Sequence, residues 1–256
     1  MTTAAEIYQY LNEIAPFHTA MDFDNVGLLV GNPGAAVDSV LVSLDITTPV
    51  IEQACELGAQ LIISHHPVIF APLKRLRPKD IPAQLIEHRL AAVCAHTNLD
   101  LATCGVNTQL AAALSLQDCK PVKTYRDTGL AEALFGTLPQ ALSPEDFAQY
   151  VKERLHCSGV KYTRGDRPVR TVGVSCGAGS GLLFDAAACG VDAFVTGESK
   201  HHEHLAACEM GITMVDAGHF NTEDVVVEPL IRMLQTQFPQ VAFCKSGQAD
   251  PVCYLV

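Results

Sequence analysis

The sequence predicts an α/β fold made of two similar α/β domains. Apolar runs of strand length alternate with amphipathic stretches of helical length, as in parallel strands that are joined by crossover helices. The alternation starts again halfway along the chain, and a length of 256 residues suits one large or two ordinary domains. The hydrophobic content of 48% supplies a buried core. We expect residues 1–124 and 222–256 to form the first domain and residues 125–221 to form the second.

The first half contains a regular alternation of strands and helices. Thr3 followed by Glu6 is a capping-box pattern that starts a helix, and Pro16 ends it. A polar loop that begins at Asp22 then runs into a short strand that ends near Gly31. Further strands are expected at 38–45, 61–63 and 91–95, and further helices at 48–58, 80–90 and 106–114.

The second half repeats this organisation after a predicted linker at 121–129. The halves resemble each other weakly, because a strand, a helix, a short strand and a polar end follow one another at 42–64 and again at 174–197. Two related domains and chance similarity between α/β units both explain this likeness. Strands are expected at 169–174, 191–196, 212–215, 241–243 and 252–256, and helices at 143–155, 182–188, 200–209 and 222–235.

Composition argues against several classes of protein. The formal net charge is −11 with the histidines neutral, which disfavours a nucleic-acid-binding surface. No apolar run has the length of a membrane span, and the N-terminus lacks the pattern of a secretory signal. The ten cysteines include several in apolar segments and form no Cys-x-x-Cys pair. We therefore expect reduced core cysteines in a cytoplasmic protein, with a cysteine-based metal site or nucleophile as the alternative.

Three predicted strand ends carry residue types that bind metals, and ligands of open α/β sheets bind beyond such ends. Adjacent residues of an extended segment point to opposite sides. Two neighbouring histidines in one cleft, His65 and His66, would therefore favour two ions that each take one imidazole. Glu223 follows His219 by four residues, so it would lie one helical turn away, where its carboxylate could bridge the ions. The candidate ligands are His65, His66, His96, Asp100, His219 and Glu223.

Mixed histidine and carboxylate ligation suits Zn, Mn, Fe, Co or Ni better than Ca or Mg. For any one of these histidines taken alone, a structural or capping role is the alternative. A fourth polar stretch at 196–204 contains Glu198 and His202 and also follows a strand. Its side chains would support the ligands, face the substrate, bind a metal directly, or lie solvated at the start of a helix.

A glycine-rich turn lies between a predicted strand and a predicted helix. The amides of Gly177, Gly179 and Gly181 could hold a phosphate group there, and a tight structural turn is the alternative. The same region matches the Gly-x-Ser-x-Gly pattern of a nucleophile elbow, with Ser175 as the nucleophile. A later acid, Asp192 or Asp216, and His219 would complete a hydrolase triad, whereas a structural turn again requires no such role.

Several short motifs follow one another over almost the whole chain. They are Phe23-Asp24-Asn25-Val26-Gly27-Leu28, Ser64-His65-His66-Pro67, His96-Thr97-Asn98-Leu99-Asp100, Thr196-Gly197-Glu198 with His201-His202, and Gly218-His219 with Thr222-Glu223. Jointly, and in this order, they resemble the GTP cyclohydrolase 1 type 2 homologue family, also called the Nif-three-like proteins. Phe23 stands where that family commonly has Trp, and we expect this change to affect packing.

The resemblance implies two α/β domains that face each other across a dinuclear metal cleft, and a toroidal homohexamer. It places His96 near the metal ions and not on them. With His219 on a metal, that residue would not be free to serve Ser175. The ligands that the resemblance implies for two divalent transition-metal ions are His65, His66, Asp100, His219 and Glu223, with Glu223 shared.

The function that these observations predict is hydrolysis, by a dinuclear metal centre, of a nucleotide or a related phosphate-bearing small molecule. His96, His202 and Glu198 are the candidates for proton transfer, because each lies at or shortly after a predicted strand end. The glycine-rich turn would hold the phosphate end of the substrate. The alternative is a non-catalytic protein that binds or handles metal or has a regulatory role. A ring that serves as a platform for other proteins is a third hypothesis.

Overall fold

The computed structural model describes residues 1–255 and shows a mixed α/β fold with two sheets, so the predicted fold class is confirmed at this level. The chain divides into two units. The first contains Met1–Leu99 and Val227–Ala249, and the second contains Asp100–Val226 and the residues from Asp250 onward.

Eleven strands lie within residues 1–255. They are β1 (Gly27–Val30), β2 (Ser39–Ser43), β3 (Leu61–Ser64), β4 (Ala91–Cys94), β5 (Gln117–Thr124), β6 (Ala131–Leu142), β7 (Lys161–Tyr162), β8 (Val169–Ser175), β9 (Ala193–Thr196), β10 (Thr213–Asp216) and β11 (Ala242–Lys245).

The same residues form ten α-helices, of which several are short. They are α1 (Ala4–Ile14), α2 (Thr48–Glu56), α3 (Ile81–Glu87), α4 (Thr97–Leu101), α5 (Val106–Ala113), α6 (Pro144–Arg154), α7 (Leu183–Ala188), α8 (His201–Glu209), α9 (His219–Glu223) and α10 (Val227–Gln237).

Local sequence signals account for where several helices begin. The capping box at the start of α1 is confirmed: the Thr3 hydroxyl accepts from the Glu6 amide at 3.3 Å, and Glu6 accepts from the Thr3 amide at 2.7 Å. The Ser143 hydroxyl caps α6 by accepting from the Asp146 amide at 3.1 Å, and a proline stands at the start of that helix. These caps satisfy backbone amides that have no partner inside the helix.

The sheet of the first unit has the order β1-β4-β3-β2-β11. Strands β2, β3, β4 and β11 are parallel, and β1 pairs with β4 in the antiparallel direction. The last residues of β2, β3 and β4 are in register, because Ser43 pairs with Ser64 and Ser64 pairs with Cys94. The residues that follow these three strands therefore leave the sheet at the same edge.

Helices α2 and α3 cover one face of this sheet. Leu41 and Ile62, which pair on adjacent strands, pack in one buried cluster with Val50 and Ile51 of α2 and Leu85 of α3. Fully burying a side chain of this size stabilises the fold by about 1.5–3 kcal/mol. The strands are apolar on both faces, as expected for parallel strands between layers of other elements.

The sheet of the second unit has the order β5-β6-β8-β9-β10-β7. Its centre, β8, β9 and β10, is parallel, and the flanking strands are antiparallel. Ser175, Thr196 and Asp216, the last residues of the parallel strands, are in register. Phe194 and Met214 lie in the buried cluster beneath α7 and α8.

Two predicted irregular regions differ in the structure. The linker predicted at 121–129 is wrong for its first part, because Gln117–Thr124 forms the edge strand β5. This strand is almost entirely exposed, so it lacks the apolar alternation that identifies a strand in sequence. Strand β5 pairs with β6 and belongs to the second unit. Residues 252–255 form no strand, and Val256 of the predicted strand at 252–256 lies outside the described residues.

Within residues 1–255 there is no helix of the length and apolar character that a membrane crossing requires.

Candidate functional site

In the first unit, β3 ends at Ser64 and presents His65 and His66. The amides of both histidines donate to the carbonyl of Leu44, at 3.1 and 2.9 Å, and the Ser64 hydroxyl donates to the His66 carbonyl. These bonds turn the backbone away from the strand direction. The two rings consequently lie together, with centroids 5.0 Å apart. The rule that adjacent side chains point to opposite sides does not apply here, because residues 65 and 66 are not extended.

His96 follows β4 and joins the same group. Its ring centroid lies 5.2 Å from that of His65 and 5.4 Å from that of His66. Each of the three residues offers a nitrogen atom within 4.8 Å of those of the other two, a spacing that suits a shared metal ion. We call His65, His66 and His96 the histidine cluster.

The Nδ1 atom of each imidazole in the histidine cluster is held by an oxygen atom. His65 contacts the Ala95 carbonyl at 2.9 Å, His66 contacts Asp45 at 2.7 Å, and His96 contacts Asp24 at 2.8 Å. A carbonyl or carboxylate oxygen accepts a hydrogen bond, so Nδ1 carries the proton in each ring. A neutral imidazole in that tautomer presents a lone pair at Nε2, as a metal ligand must.

Asp24, the carboxylate that holds His96, has a strongly perturbed pKa. Its side chain is fully buried, and it accepts from His96, from the Thr97 amide at 3.0 Å and from the Thr97 hydroxyl. Burial raises the pKa of this carboxyl, but the hydrogen bonds from His96 and Thr97 outweigh burial and lower the pKa to about 2. Asp24 is therefore a fixed negative charge behind His96.

The second unit carries a group of carboxylates around one imidazole. Helix α9 begins at His219 and ends at Glu223, so these residues lie one turn apart, as the spacing predicts, with His219 Nε2 and Glu223 Oε2 3.0 Å apart. Glu198, after β9, contacts His219 Nδ1 at 2.8 Å. Carboxylates therefore face both ring nitrogens of His219, so these contacts hold the ring in place without selecting one tautomer. Glu198 orients His219, although Glu198 is itself largely exposed.

Gly177, after β8, leaves room for Glu223. It has a positive φ of 52°, and a Cβ atom at this position would fall on Glu223 Oε1 and lie 3.2 Å from His219 Nε2. Its amide donates to the Thr222 hydroxyl at 3.1 Å. A side chain other than hydrogen would therefore displace the buried Glu223 carboxylate.

Asp100 also lies in the second unit, in contact with a buried thiol. Cys176 Sγ donates to Asp100 Oδ1 at 3.2 Å, and the Cys176 amide donates to Asn107, whose side-chain nitrogen in turn donates to the Asp100 carbonyl. Burial, then the negative charges of Asp100 and Glu223, raises the pKa of the Cys176 thiol well above its usual value. The thiol therefore remains protonated and acts as a hydrogen-bond donor. We call His219, Glu223 and Asp100 the acidic group.

The other glycines of the glycine-rich turn are Gly179 and Gly181, and Ser175 precedes the turn. Ser175 is buried and donates to the Glu132 carbonyl at 3.2 Å. A Cβ atom at Gly179 would fall on the Ser175 hydroxyl, whereas Gly181 borders open space. Because the Gly177 amide already donates to Thr222, only Gly179 and Gly181 keep the predicted role at a phosphate group, which stays a prediction.

His202 lies in the first turn of α8 and is 69% exposed. Its Nε2 is 4.0 Å from Glu203 Oε1, and Glu203 caps the helix by accepting from the Lys200 amide. No contact within residues 1–255 links His202 to the acidic group. Its predicted part in proton transfer stays a prediction.

The donors fit a divalent transition metal. Imidazole nitrogens and carboxylate oxygens are the ligands of Zn, Mn, Fe, Co and Ni, and three imidazoles held by carbonyl or carboxylate oxygens match the support that such ligands have in metalloproteins. The sequence did not identify Asp45, Asp24 or Cys176 as functional residues. A usable signal existed for Asp45, which stands two residues beyond β2, as His66 and His96 stand two residues beyond their own strands.

Comparison with known proteins gives concordant results. The profile of the Duf34/NIF3 (NGG1p interacting factor 3) family matches residues 2–251. A Clostridium acetobutylicum protein named GTP cyclohydrolase 1 type 2 homolog is 30% identical over 227 residues, which cover 85% of this chain and 84% of the relative. One from Clostridium perfringens with the same name is 29% identical over 259 residues, which cover 96% and 97%.

Solved structures agree with these relatives. A hypothetical protein of Staphylococcus aureus has a TM-score of 0.91 and 28% identity, with 99% of both chains covered. A Bacillus cereus protein related to NIF3 has a TM-score of 0.93 and covers 99% of both chains. Its identity is 24%, so this second likeness concerns the fold alone.

Replacing Asp24 with asparagine is expected to destabilise the chelator-treated protein. The folded-state pKa of about 2 lies below the ordinary 3.8, so the carboxylate stabilises the fold above about pH 4. This stabilisation is lost as the pH falls through about 2. The difference in pKa corresponds to about 2 kcal/mol at neutral pH. Urea unfolding at pH 7 should show a loss of that order, which narrows as the pH is lowered from 4 towards 2.

Asp38→Asn is the matched control, since Asp38 is an exposed carboxylate of the same unit. It should change the free energy of unfolding little at any pH. An Asp24→Asn loss that is equal at pH 7 and at pH 3 would contradict the assigned pKa.

Gly177→Ala is expected to lower metal content, because the added methyl group displaces the Glu223 carboxylate. The left-handed backbone conformation adds about 1–2 kcal/mol of destabilisation. Gly181→Ala is the control, since its methyl group would enter open space. Elemental analysis and thermal unfolding of both variants test this expectation, and equal metal content in the two would argue against it.

Proposed function

This chain belongs to the Duf34/NIF3 family, and from that premise we propose that it is a hydrolase dependent on divalent transition metals. Its substrate would be a nucleotide or a related phosphate-bearing small molecule. The observation that carries the proposal is the state of four imidazoles. In His65, His66, His96 and His219, Nδ1 is held by an oxygen, so Nε2 is the nitrogen that would bind a metal or, in His96, exchange a proton.

The proposed metal ligands are those that the family resemblance implies, and two ions of Zn, Mn, Fe, Co or Ni are proposed per chain. Such ions, when bound, supply Lewis acidity and lower the pKa of bound water towards 7. The name GTP cyclohydrolase 1 type 2 homolog, which both Clostridium relatives described above carry, is consistent with a nucleotide substrate. The proposed ligands are His65, His66, Asp100, His219 and Glu223.

Proton transfer is proposed for His96, and positioning for Glu198. The buried Asp24 carboxylate holds His96 Nδ1, so that Nε2 can gain and release a proton while the ring keeps its orientation. Glu198 contacts His219 and would act by orienting it. The amides of Gly179 and Gly181 would hold a phosphate oxygen, and His202 would exchange protons with solvent.

A toroidal homohexamer is also proposed, from the family resemblance alone. Closed symmetry is the usual state of soluble homo-oligomers. Light scattering at micromolar concentration should give about six times the 27.4 kDa chain mass, and a monomer would overturn this part of the proposal.

The central prediction concerns metal content and turnover. Protein purified without chelator is expected to contain two transition-metal ions per chain by elemental analysis. His66→Ala and Glu223→Ala should lose metal and turnover together, because each removes a ligand. His96→Ala should retain the metal and lose about 100-fold in turnover, the lower end of the range for a group that transfers protons. The screen would cover GTP and a panel of phosphoesters.

His88→Ala is the control, since His88 is an exposed histidine of the first unit; it should retain both metal and turnover. Loss of metal in His96→Ala would make His96 a ligand. If the metal-loaded protein turns over neither GTP nor any phosphoester, the hydrolase proposal fails. The metal-handling alternative, which the surplus of imidazoles and the net charge of −11 favour, would then replace it.

A further inference from the structure

Two phenylalanines of the first unit are exposed side by side. Phe23 is 62% exposed and Phe70 is 55% exposed, and their ring centroids lie 6.2 Å apart at an interplanar angle of 47°. Phe23 is therefore not part of a buried core, and the ring that it packs against is that of Phe70. We call Phe23 and Phe70 the aromatic pair. An exposed pair of this kind gains more from contact with a flat apolar ligand than from contact with water.

The aromatic pair is tied to the histidine cluster by the chain itself. Phe23 immediately precedes Asp24, whose carboxylate holds His96. Phe70 comes four residues after His66, and the Asn25 side chain donates to the Ile69 carbonyl at 2.5 Å. This hydrogen bond joins the segment before β1 to the segment after β3. Both rings are thus placed by the same two segments that position the imidazoles.

A concentration of positive charge follows Phe70 directly. The run at 74–79, which we call the basic loop, contains Lys74, Arg75, Arg77 and Lys79, four of the 17 lysine and arginine residues in a chain of net charge −11. All four are exposed, and no ion pair within residues 1–255 involves them. The Arg77 amide donates to Asp80 at 2.8 Å, which shapes the end of the loop before α3.

We propose that the aromatic pair and the basic loop form the recognition surface for a nucleotide, with the base against the rings and the phosphates against the cations. The inference rests on the proposed function and adds to it the residues that select the substrate. A base presents a flat π-face to an aromatic side chain. The phosphates of a nucleotide are negatively charged, and an acidic protein repels them except where arginine or lysine side chains are concentrated. These two side chains are the ones that bind phosphates.

The occupant is a small molecule and not a second copy of the chain. A second copy would bring an average charge of the same negative sign as the whole chain, and it would need a broad apolar surface around the aromatic pair. The exposed Leu73 and Leu76 are its only apolar neighbours along residues 70–79 with side chains of comparable size. A nucleotide fits this surface better, because its base is small enough to lie against the aromatic pair and its phosphates are attracted by the basic loop.

The test is calorimetric titration of the full chain, freed of metal by chelation, with GTP and with tripolyphosphate. Phe23→Leu and Phe70→Leu keep an apolar side chain and remove the π-face. Each should weaken GTP binding about tenfold, within the range of base–aromatic stacking, and leave tripolyphosphate binding unchanged. The double variant Arg75→Gln/Lys79→Gln should weaken both ligands and reduce the salt dependence of binding.

Two controls match these changes. Phe184→Leu alters a phenylalanine of the second unit that is also 55% exposed, and Lys120→Gln/Arg170→Gln removes two exposed cations of that unit. Neither should change binding. Unchanged GTP affinity in both Phe23→Leu and Phe70→Leu would overturn the inference, and so would an equal loss in the charge control. A change in assembly mass in Phe70→Leu without a change in affinity would overturn it in favour of an interface between copies.

These outcomes separate the inference from the proposed function. Binding that depends on the aromatic pair and the basic loop, in a protein that hydrolyses nothing, would support the recognition surface and remove the hydrolase. The opposite result is metal-dependent turnover of GTP in which neither Phe23→Leu nor Phe70→Leu changes KM or kcat. That result would support the proposed hydrolase and contradict the proposed recognition surface.

Discussion

The hydrogen bond at Nδ1 is the interaction on which the candidate chemistry depends. An imidazole that can rotate and change tautomer presents either nitrogen, and it presents a proton as often as a lone pair. A carbonyl or carboxylate at Nδ1 fixes the orientation of the ring and, where no second carboxylate faces Nε2, also its tautomer. His65 is held by a backbone oxygen, and His66, His96 and His219 are each held by a carboxylate. A carboxylate also makes the ring more basic and therefore a stronger ligand.

The register of the parallel strands explains why these partners meet. In the first unit Ser43, Ser64 and Cys94 are aligned at the sheet edge. Two residues beyond those ends stand Asp45, His66 and His96, and Asp45 holds His66. In the second unit the aligned ends are Ser175, Thr196 and Asp216, and two residues beyond them stand Gly177, Glu198 and Gly218. Glu198 donates its amide to the Gly177 carbonyl and holds His219.

In both units residues of the candidate site stand two residues beyond the strand ends. This common spacing explains the weak likeness between the two halves of the sequence. The likeness joined 42–64 with 174–197, and the structure shows the same parallel pairing in both, Val42 with Ile63 and Val174 with Val195. The chemistry at the equivalent positions has diverged. A carboxylate that holds an imidazole, Asp45, corresponds to a glycine that accommodates a carboxylate, Gly177. The repeated element is the strand-end geometry, and each unit uses it for a different donor set.

Sequence alone predicted the elements that have a strong apolar pattern, and it predicted the donors that stand at strand ends. It missed β5, because this edge strand is exposed and has no buried face, and it missed β6 entirely, because the mixed burial of that strand hides the alternation. It also missed Asp24 as the partner of His96, since 72 residues separate them and only the β1–β4 pairing brings their segments together. The contact between Asp24 and His96 depends on how β1 pairs with β4, and no local sequence pattern indicates that pairing.

The distribution of negative charge distinguishes supporting carboxylates from donors. The Asp24 carboxylate is buried, and hydrogen bonds from His96 and Thr97 stabilise its negative charge. It therefore supports His96 and is not exposed to a ligand. Glu223 and Asp100 are different, because both raise the pKa of the Cys176 thiol and thus act together on one buried volume of the second unit. Two carboxylates that share such a volume repel each other unless a cation lies with them. A cation beside Asp100 and Glu223, where Gly177 leaves room for the Glu223 carboxylate, would relieve this repulsion.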